Sequence, residues 1–398
     1  DGTGVARLAV DDILPRQSHW RLVDAAYAEW DPVLATAVGH AWNTGPTRRG
    51  REVPYRHIAR DVWDLLRRAE GDSLSPLQKF ASELPAGCVV VLIAGSPCQD
   101  LTYGGRYQGG QGLCGSASVH FFVIPTVAWA LQELRSDISV VVFLENAASM
   151  TPMQKATILE ALGDLPEAAH LRTLDAAAWS AFPRRRHFFC TEPVEGDLAL
   201  PCRRPAPWDP GWAPLPCGRL LTMMRSRSNG HIRASTIQYH HACLIYRRAS
   251  GRDGVDWHGM SLDQAKAAIL ALMPREIAGK YRRLTSGNLS PEEEGYVAQA
   301  VEWIEANGPR LGFRIPNCYE RARAAGSAHD LVTLGLTELG LFNAVGNHFD
   351  HEALRSRLVG PLDNLARRPV HRRTFHPPSA LAAIYARLAG TVRSMGLP

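Results

Sequence analysis

The sequence predicts an α/β chain: a doubly wound, mostly parallel sheet with a second, smaller domain inserted into it. Three observations carry this. In the first half, apolar runs alternate with segments of helical composition, the pattern of strands that return in parallel through crossover helices. That alternation stops after Cys190, where residues 199–218 are rich in proline and hold Trp208 and Trp212. Two helical patterns follow, and an apolar stretch at Leu331–Val345 then restores the character of the first half.

Taken in order, Trp20–Ala28 reads as the approach to a strand, and Asp31–Trp42 as a helix entered through Pro32. Asp61–Arg68 reads as a short helix. Val89–Ala94 is a run of six apolar residues, four of them β-branched, and reads as a buried strand. Phe121–Leu134 reads as a helix, Ile138–Leu144 as a second apolar strand, and Thr151–Leu162 as a helix. Ala168–Trp179 and His187–Cys190 suggest further strands. Ser261–Met273 and Ser290–Ala306 each begin with Ser followed three residues on by Gln or Glu, a capping signature, and Pro291 takes the first helical position of the second. The expected organisation is residues 1–190 plus about 330–360 as one domain, 191–330 as the inserted domain, and 361–398 as an extension without an assigned role.

The chain has 398 residues, 45% hydrophobic and 21% charged, an ordinary globular balance with room for two domains. No apolar run reaches the length of a membrane span, and no secretory signal opens the chain. The eight cysteines include no Cys-x-x-Cys pair, which argues against a zinc finger or a disulfide framework and for a reducing compartment. No metal is expected. No repeat of solenoid period is present. The net charge of +5 is uneven: Arg184 to Arg252 holds twelve Arg, no Lys and four acids. Arginine suits phosphate and guanine through bidentate hydrogen bonds, although a solvated basic face has the same composition.

The most informative stretch is Gly95-Ser96-Pro97-Cys98-Gln99-Asp100, directly after the first apolar strand. A small-Pro-Cys turn there holds a thiol at the carboxyl rim of a parallel sheet, where open α/β folds place their chemistry. A buried cysteine at a strand end is the alternative for Cys98 taken alone. Tyr103–Ser118 follows with six glycines, the composition of a loop that closes over a substrate. Glu145-Asn146 follows the second apolar strand, which places a carboxyl at a second strand end. Arg184-Arg185-Arg186 precedes His187-Phe188-Phe189-Cys190, and strand alternation points Arg184 and Arg186 to one side.

In order, these segments resemble the motifs of the S-adenosylmethionine-dependent DNA cytosine C5-methyltransferases, and look closest to the animal de novo type. The resemblance spans residues 1 to about 355 and implies the class I methyltransferase fold, which is Rossmann-like. Asp1-Gly2-Thr3-Gly4 looks like the end of the first motif, whose Phe and preceding strand are expected upstream. Ala28-Glu29-Trp30-Asp31 resembles the second motif, in which Glu29 takes the ribose hydroxyls and Trp30 packs on adenine. Asp61-Val62 looks like the third, with Asp61 accepting from the adenine amino group. Pro97 and Asn347, in Gly346-Asn347-His348-Phe349, complete the implied cofactor contacts.

The resemblance gives Cys98 the part of the nucleophile that adds to cytosine C6, which activates C5 toward a methyl donor. Glu145 would hydrogen-bond cytosine N3 in its protonated form, with Ala147 standing where the family has Val. Arg184 and Arg186 match the eighth motif and would face the cytosine O2 and a phosphate, with Phe182 where many members have Gln. Ser226-Arg227-Ser228-Asn229 resembles a target-recognition segment, in which Arg227 and Asn229 would contact DNA. Tyr103, Arg106 or Tyr107 would probe the space left by a flipped base.

The function so implied is methyl transfer from S-adenosylmethionine to a cytosine of duplex DNA, with CpG as the expected site. Transfer RNA methylation with the same chemistry is the alternative, and a catalytically silent DNA-binding homologue the second. A second copy of the chain or a regulatory homologue is left open as partner. The implied compartment is the nucleus in a eukaryote, otherwise the cytoplasm or nucleoid.

Overall fold

The computed structural model describes residues 4–14, 20–44, 53–68, 70–102, 106, 109–163, 170–176, 184–193, 208–215, 244–248, 255–282, 290–324, 335–337, 340, 344 and 350–367. The chain divides into two compact units. The first holds residues 1–176, 185–201 and 349–398, and the second residues 177–184 and 202–348.

The first unit is a mixed α/β structure. Helix α1 (Val5–Ile13), which the sequence reading did not anticipate, starts from Gly4 in the left-handed conformation, φ +75°. A Cβ at Gly4 would stand 2.2 Å from the Trp42 indole nitrogen, so both backbone and space demand glycine. Strand β1 (Ala26–Ala28) leads to helix α2 (Pro32–Asn43), capped by the Asp31 carboxylate and opened by Pro32. Strand β2 (Arg56–Ala59) pairs with β1 in parallel. Asp61–Arg68, expected as a helix, forms only the 3-10 turn Val62–Leu65. The Asp61 side chain caps it, and the Leu66 amide bonds back to Trp63 rather than extending an α-ladder.

Helix α3 (Pro76–Glu83) leads into β3 (Val89–Gly95), and α4 (Val123–Leu134) into β4 (Ser139–Ala147). Helix α5 (Pro152–Leu162), β5 (His170–Asp175) and β6 (Arg185–Cys190) follow. Both α3 and α5 open on complete capping boxes, Ser75 with Gln78 and Thr151 with Gln154. The four-stranded sheet has the order β3-β4-β6-β5. β3 and β4 are parallel, while β6 runs antiparallel to both its neighbours.

Helices cover both faces of this sheet. Val140, Val142 and Leu144 of β4 pack into one core with α3, α4 and α5. Val141 and Phe143, pointing the other way, pack with α1 and helix α6 (His351–Arg367). Helix α6 thus runs through residue 361, the boundary the sequence suggested for a separate tail. His351 at its start reaches Asp12 of α1 at 3.1 Å and Glu352 at 3.3 Å.

The second unit has its own core. A small antiparallel sheet joins Trp212–Ala213, Ile245–Arg247 and Phe313–Arg314. Tyr246, Trp257 and Phe313 are fully buried against helices Leu262–Leu272, Arg275–Arg282 and Pro291–Leu311. The capping boxes expected at Ser261 and Ser290 are both present. Helix Pro291–Leu311 runs beyond its expected end, through Gly308 and Pro309, to Gly312 at φ +90°. Arg314 bonds Glu320 through both terminal guanidinium nitrogens and reaches Asp209, and its guanidinium lies 4.5 Å from the Trp212 ring centre. Among the described residues no helix is long and apolar enough to cross a membrane, and no group of three metal-ligating side chains converges.

Candidate active site

Strand β3 ends at Gly95, which stands in register with Glu145 of β4. Beyond it the chain turns through Ser96, Pro97 and Cys98. The turn is held from several directions. Asn146, 1% exposed, donates its side-chain amide to Ser96 Oγ at 2.8 Å and to the Ser96 carbonyl at 3.3 Å. Ser118 Oγ donates to the Pro97 carbonyl at 3.1 Å. The Cys98 carbonyl accepts from the Leu101 and Thr102 amides, both at 3.0 Å. Cys98 itself is half-buried and not in a disulfide. A thiol on a fixed backbone with a partly open face is placed to act as a nucleophile.

Glu145 is not at the end of its strand, as the apolar run suggested. β4 continues through Asn146 and Ala147 because β6 supplies a ladder for all three residues. Glu145 instead marks the end of the β3–β4 ladder, so its neighbour on that side is the start of the Cys98 turn. Arg186, opposite Ala147, lies on the same face of the sheet as Glu145, and its Nε meets Glu145 Oε1 at 2.7 Å. Only Arg186 of the two proposed arginines is on the strand. Arg184 lies just before β6, in the second unit.

The carboxyl ends of the other parallel pair bring a second set together. Ala28 stands against Ala59, and the Glu29 amide donates to the Ala59 carbonyl at 3.2 Å. Glu29-Trp30 and Arg60-Asp61 therefore leave adjacent strands side by side. Trp30 is 67% exposed, and the Arg60 Nε donates to the Trp30 carbonyl at 3.2 Å. Glu29 Oε1 accepts from the Asp31 amide at 3.1 Å, and Asp61 Oδ1 from the Trp63 amide at 3.0 Å. Val62 begins the 3-10 turn, which packs on the core shared with β3 and β4. Two carboxylates and a bare indole at parallel strand ends fit a nucleoside-bearing cofactor: an apolar plane for the base and acceptors for its hydroxyl and amino groups.

Arg106 donates to the carbonyls of Leu101 and Ser149, the latter at 2.8 Å, so it ties the start of the glycine-rich segment to the loop after β4. Gly4 is placed as described above. Asp1, Gly2, Thr3, Tyr103, Tyr107, Arg227, Asn229 and Asn347 lie outside the described residues.

Two residues paired across β4 and β6 had no role assigned from the sequence. Asn146 is one. The other is His187, cross-strand from Asn146, whose Nδ1 is 2.8 Å from Thr173 Oγ1. Burial pushes its pKa down to about 4, and the positive charges of Lys155 and Arg185 add to this, so the ring is neutral at pH 7. Its place in a Phe-rich strand gave no sign of this; only the cross-strand register does.

No family model matches the chain, and no curated protein matches it. Similar solved structures include the Dnmt2 methyltransferase of S. pombe, with TM-score 0.42 and 14% identity over 91% of this chain and 96% of that one. The methyltransferase EhMeth of Entamoeba histolytica gives 0.40 and 9%, over 87% and 99%. A putative DNA modification methyltransferase encoded within a prophage of E. coli gives 0.38 and 13%, over 86% and 93%.

Proposed function

We propose that the chain is an S-adenosylmethionine-dependent cytosine C5-methyltransferase acting on duplex DNA. The observation that carries this is the pairing of Gly95 with Glu145, which sets the Cys98 turn beside a buried carboxyl group already engaged by Arg186. That is the equipment needed to activate a cytosine, whose C5 is too weak a nucleophile to take a methyl group unaided.

In this reading the Cys98 thiolate adds to C6 of a cytosine turned out of the helix. The electron pair displaced from the C5–C6 bond makes C5 an enamine carbon. Glu145, on taking a proton from solvent at its other oxygen, donates it toward N3 and so stabilises the charge that develops in the ring. Arg186 holds the Glu145 carboxyl in place and offers donors toward the base or its phosphate. When bound, S-adenosylmethionine supplies the methyl group that C5 takes. Water then takes the C5 proton, the electron pair left behind re-forms the C5–C6 double bond, and the Cys98 thiolate is expelled to restore the ring. Trp30, Glu29 and Asp61 are the residues that would hold the cofactor's nucleoside end.

Duplex DNA is favoured as substrate by the long segment between β6 and α6, which carries most of the arginine-rich stretch 184–252. The test is methyl transfer from tritiated S-adenosylmethionine to unmethylated CpG duplex, with transfer RNA alongside. Label in the duplex supports the reading. Label confined to transfer RNA replaces the substrate and keeps the chemistry. Absence of label in both, with no cofactor binding by calorimetry, removes the proposal.

A further inference from the structure

Cys98 is bracketed by two ties to the same place. On one side the Pro97 carbonyl accepts from Ser118 Oγ at 3.1 Å. On the other, Asp100 Oδ2 accepts from the Ala117 and Ser118 backbone amides at 3.1 and 2.9 Å. Both reach the far end of the glycine-rich segment, and Ser118 is fully buried there. Gly115 leaves room for the carboxylate: a Cβ at that position would stand 2.2 Å from Asp100 Cγ and 2.3 Å from Oδ2. One charged acceptor shared by two successive amides is a strong and directional clasp, because a carboxylate bonds an N–H about twice as well as a neutral acceptor.

We propose that Asp100 is a positioning residue, one that fixes the Cys98 thiol by clasping its turn to residues 117–118. The inference rests on the reading of Cys98 as the nucleophile. Asp100 touches no reacting atom; it acts through the backbone it immobilises. Its side chain is the length this clasp requires, and its amide counterpart keeps an oxygen that can accept the same two hydrogen bonds. Without the clasp, the thiol samples positions away from attack, and displacement of about 1 Å costs about 100-fold in rate.

The test compares Asp100→Ala and Asp100→Asn in the full chain by three readouts. Asp100→Ala is expected to lower kcat about 100-fold while leaving KM for S-adenosylmethionine within about twofold, and Asp100→Asn to recover most of the loss. Hydrogen exchange at the Ala117 and Ser118 amides should speed up in Asp100→Ala and not in Asp100→Asn. The rate of Cys98 alkylation by iodoacetamide should change in Asp100→Ala and return in Asp100→Asn. The last two need no substrate, so they decide the clasp even if no methyl transfer is found and the functional reading falls. An Asp100→Ala protein with unaltered exchange and alkylation overturns the proposal, as does an Asp100→Asn protein impaired as deeply as Asp100→Ala. Should Asp100→Ala not fold, Gly115→Ala carries the same comparison, since its methyl displaces the carboxylate; unaltered exchange and alkylation in that variant overturn the proposal equally.

Discussion

Gly95 and Glu145 are the last residues paired between β3 and β4. Past them β3 turns away into Pro97-Cys98, while β4 runs on to Ala147 along β6. One register thus brings the start of the Cys98 turn next to Glu145, and a shift of one residue would send Glu145 to the opposite face of the sheet.

If Cys98 and Glu145 act as proposed, Cys98→Ala abolishes methyl transfer and leaves duplex binding within about twofold, because one atom is lost from a binding surface made elsewhere. Glu145→Gln keeps the shape but not the proton, and lowers kcat by about 100-fold. Tritium transfer and electrophoretic mobility shift measure the two quantities. A Cys98→Ala protein that still methylates would end the assignment.

Trp30→Ala removes an exposed ring, so its melting temperature should hold while the affinity for S-adenosylmethionine falls by about tenfold, the worth of one stacked aromatic. Isothermal titration and thermal unfolding on the same sample separate the effects. Unchanged affinity would take Trp30 out of the cofactor site.

Asn146→Ala leaves Ser96 without its buried donor. The expected cost is about 1–2 kcal/mol of stability, with a fall in kcat larger than the change in KM because the Cys98 turn loosens. Urea unfolding and steady-state kinetics give both numbers. A loss of stability alone would make Asn146 a structural residue only.

The α1–α6 contact predicts the alkaline limb of the stability curve. Although burial opposes it, His351 is raised to about 9 by hydrogen bonds and charge from Asp12 and Glu352. A raised histidine binds its proton more tightly when folded, so its contribution is complete below the unfolded value and is lost as pH rises from about 6.5 through 9. The loss is on the order of 2 kcal/mol, discounted for coupling to Glu352. Glu352 is held down to about 2 by His351 and Arg355 against the opposing effect of burial, and its share is lost only as pH falls from the usual carboxylate range toward that value. His351→Gln should flatten the melting temperature between pH 6.5 and 9. A slope equal to that of the unsubstituted protein would show that another group titrates there.

His187 works in the opposite direction. Its depressed value means the unfolded chain binds the extra proton, so its contribution is complete above about pH 6.5 and is lost on the way down to about 4. His187→Asn should remove that acid-side slope in a pH series of thermal melts. An unchanged slope would assign it to carboxylates instead.

Local chemistry written in short stretches determined much of this protein. Six apolar residues ending in a Pro-Cys turn specify a strand with a thiol just past its end, although β3 is half-buried at the sheet edge rather than buried as expected, and Ser or Thr three residues before Gln or Glu specifies where helices begin. These features depend on a few neighbouring bonds, so they survive any global arrangement. The tertiary structure decided the rest. β4 extends past its apolar run because β6 comes to pair with it, and Asp61–Arg68 stops at one turn because its cap and core contacts close it there. Asn146 and Asp100 are tied to the segments around the Cys98 turn, and His187 to β5, only through partners 14 to 50 residues away. A hydrogen bond across that distance leaves no period or spacing in the chain, since it depends on where the sheet's register and the folded loops bring two polar groups, and only the packed molecule fixes that.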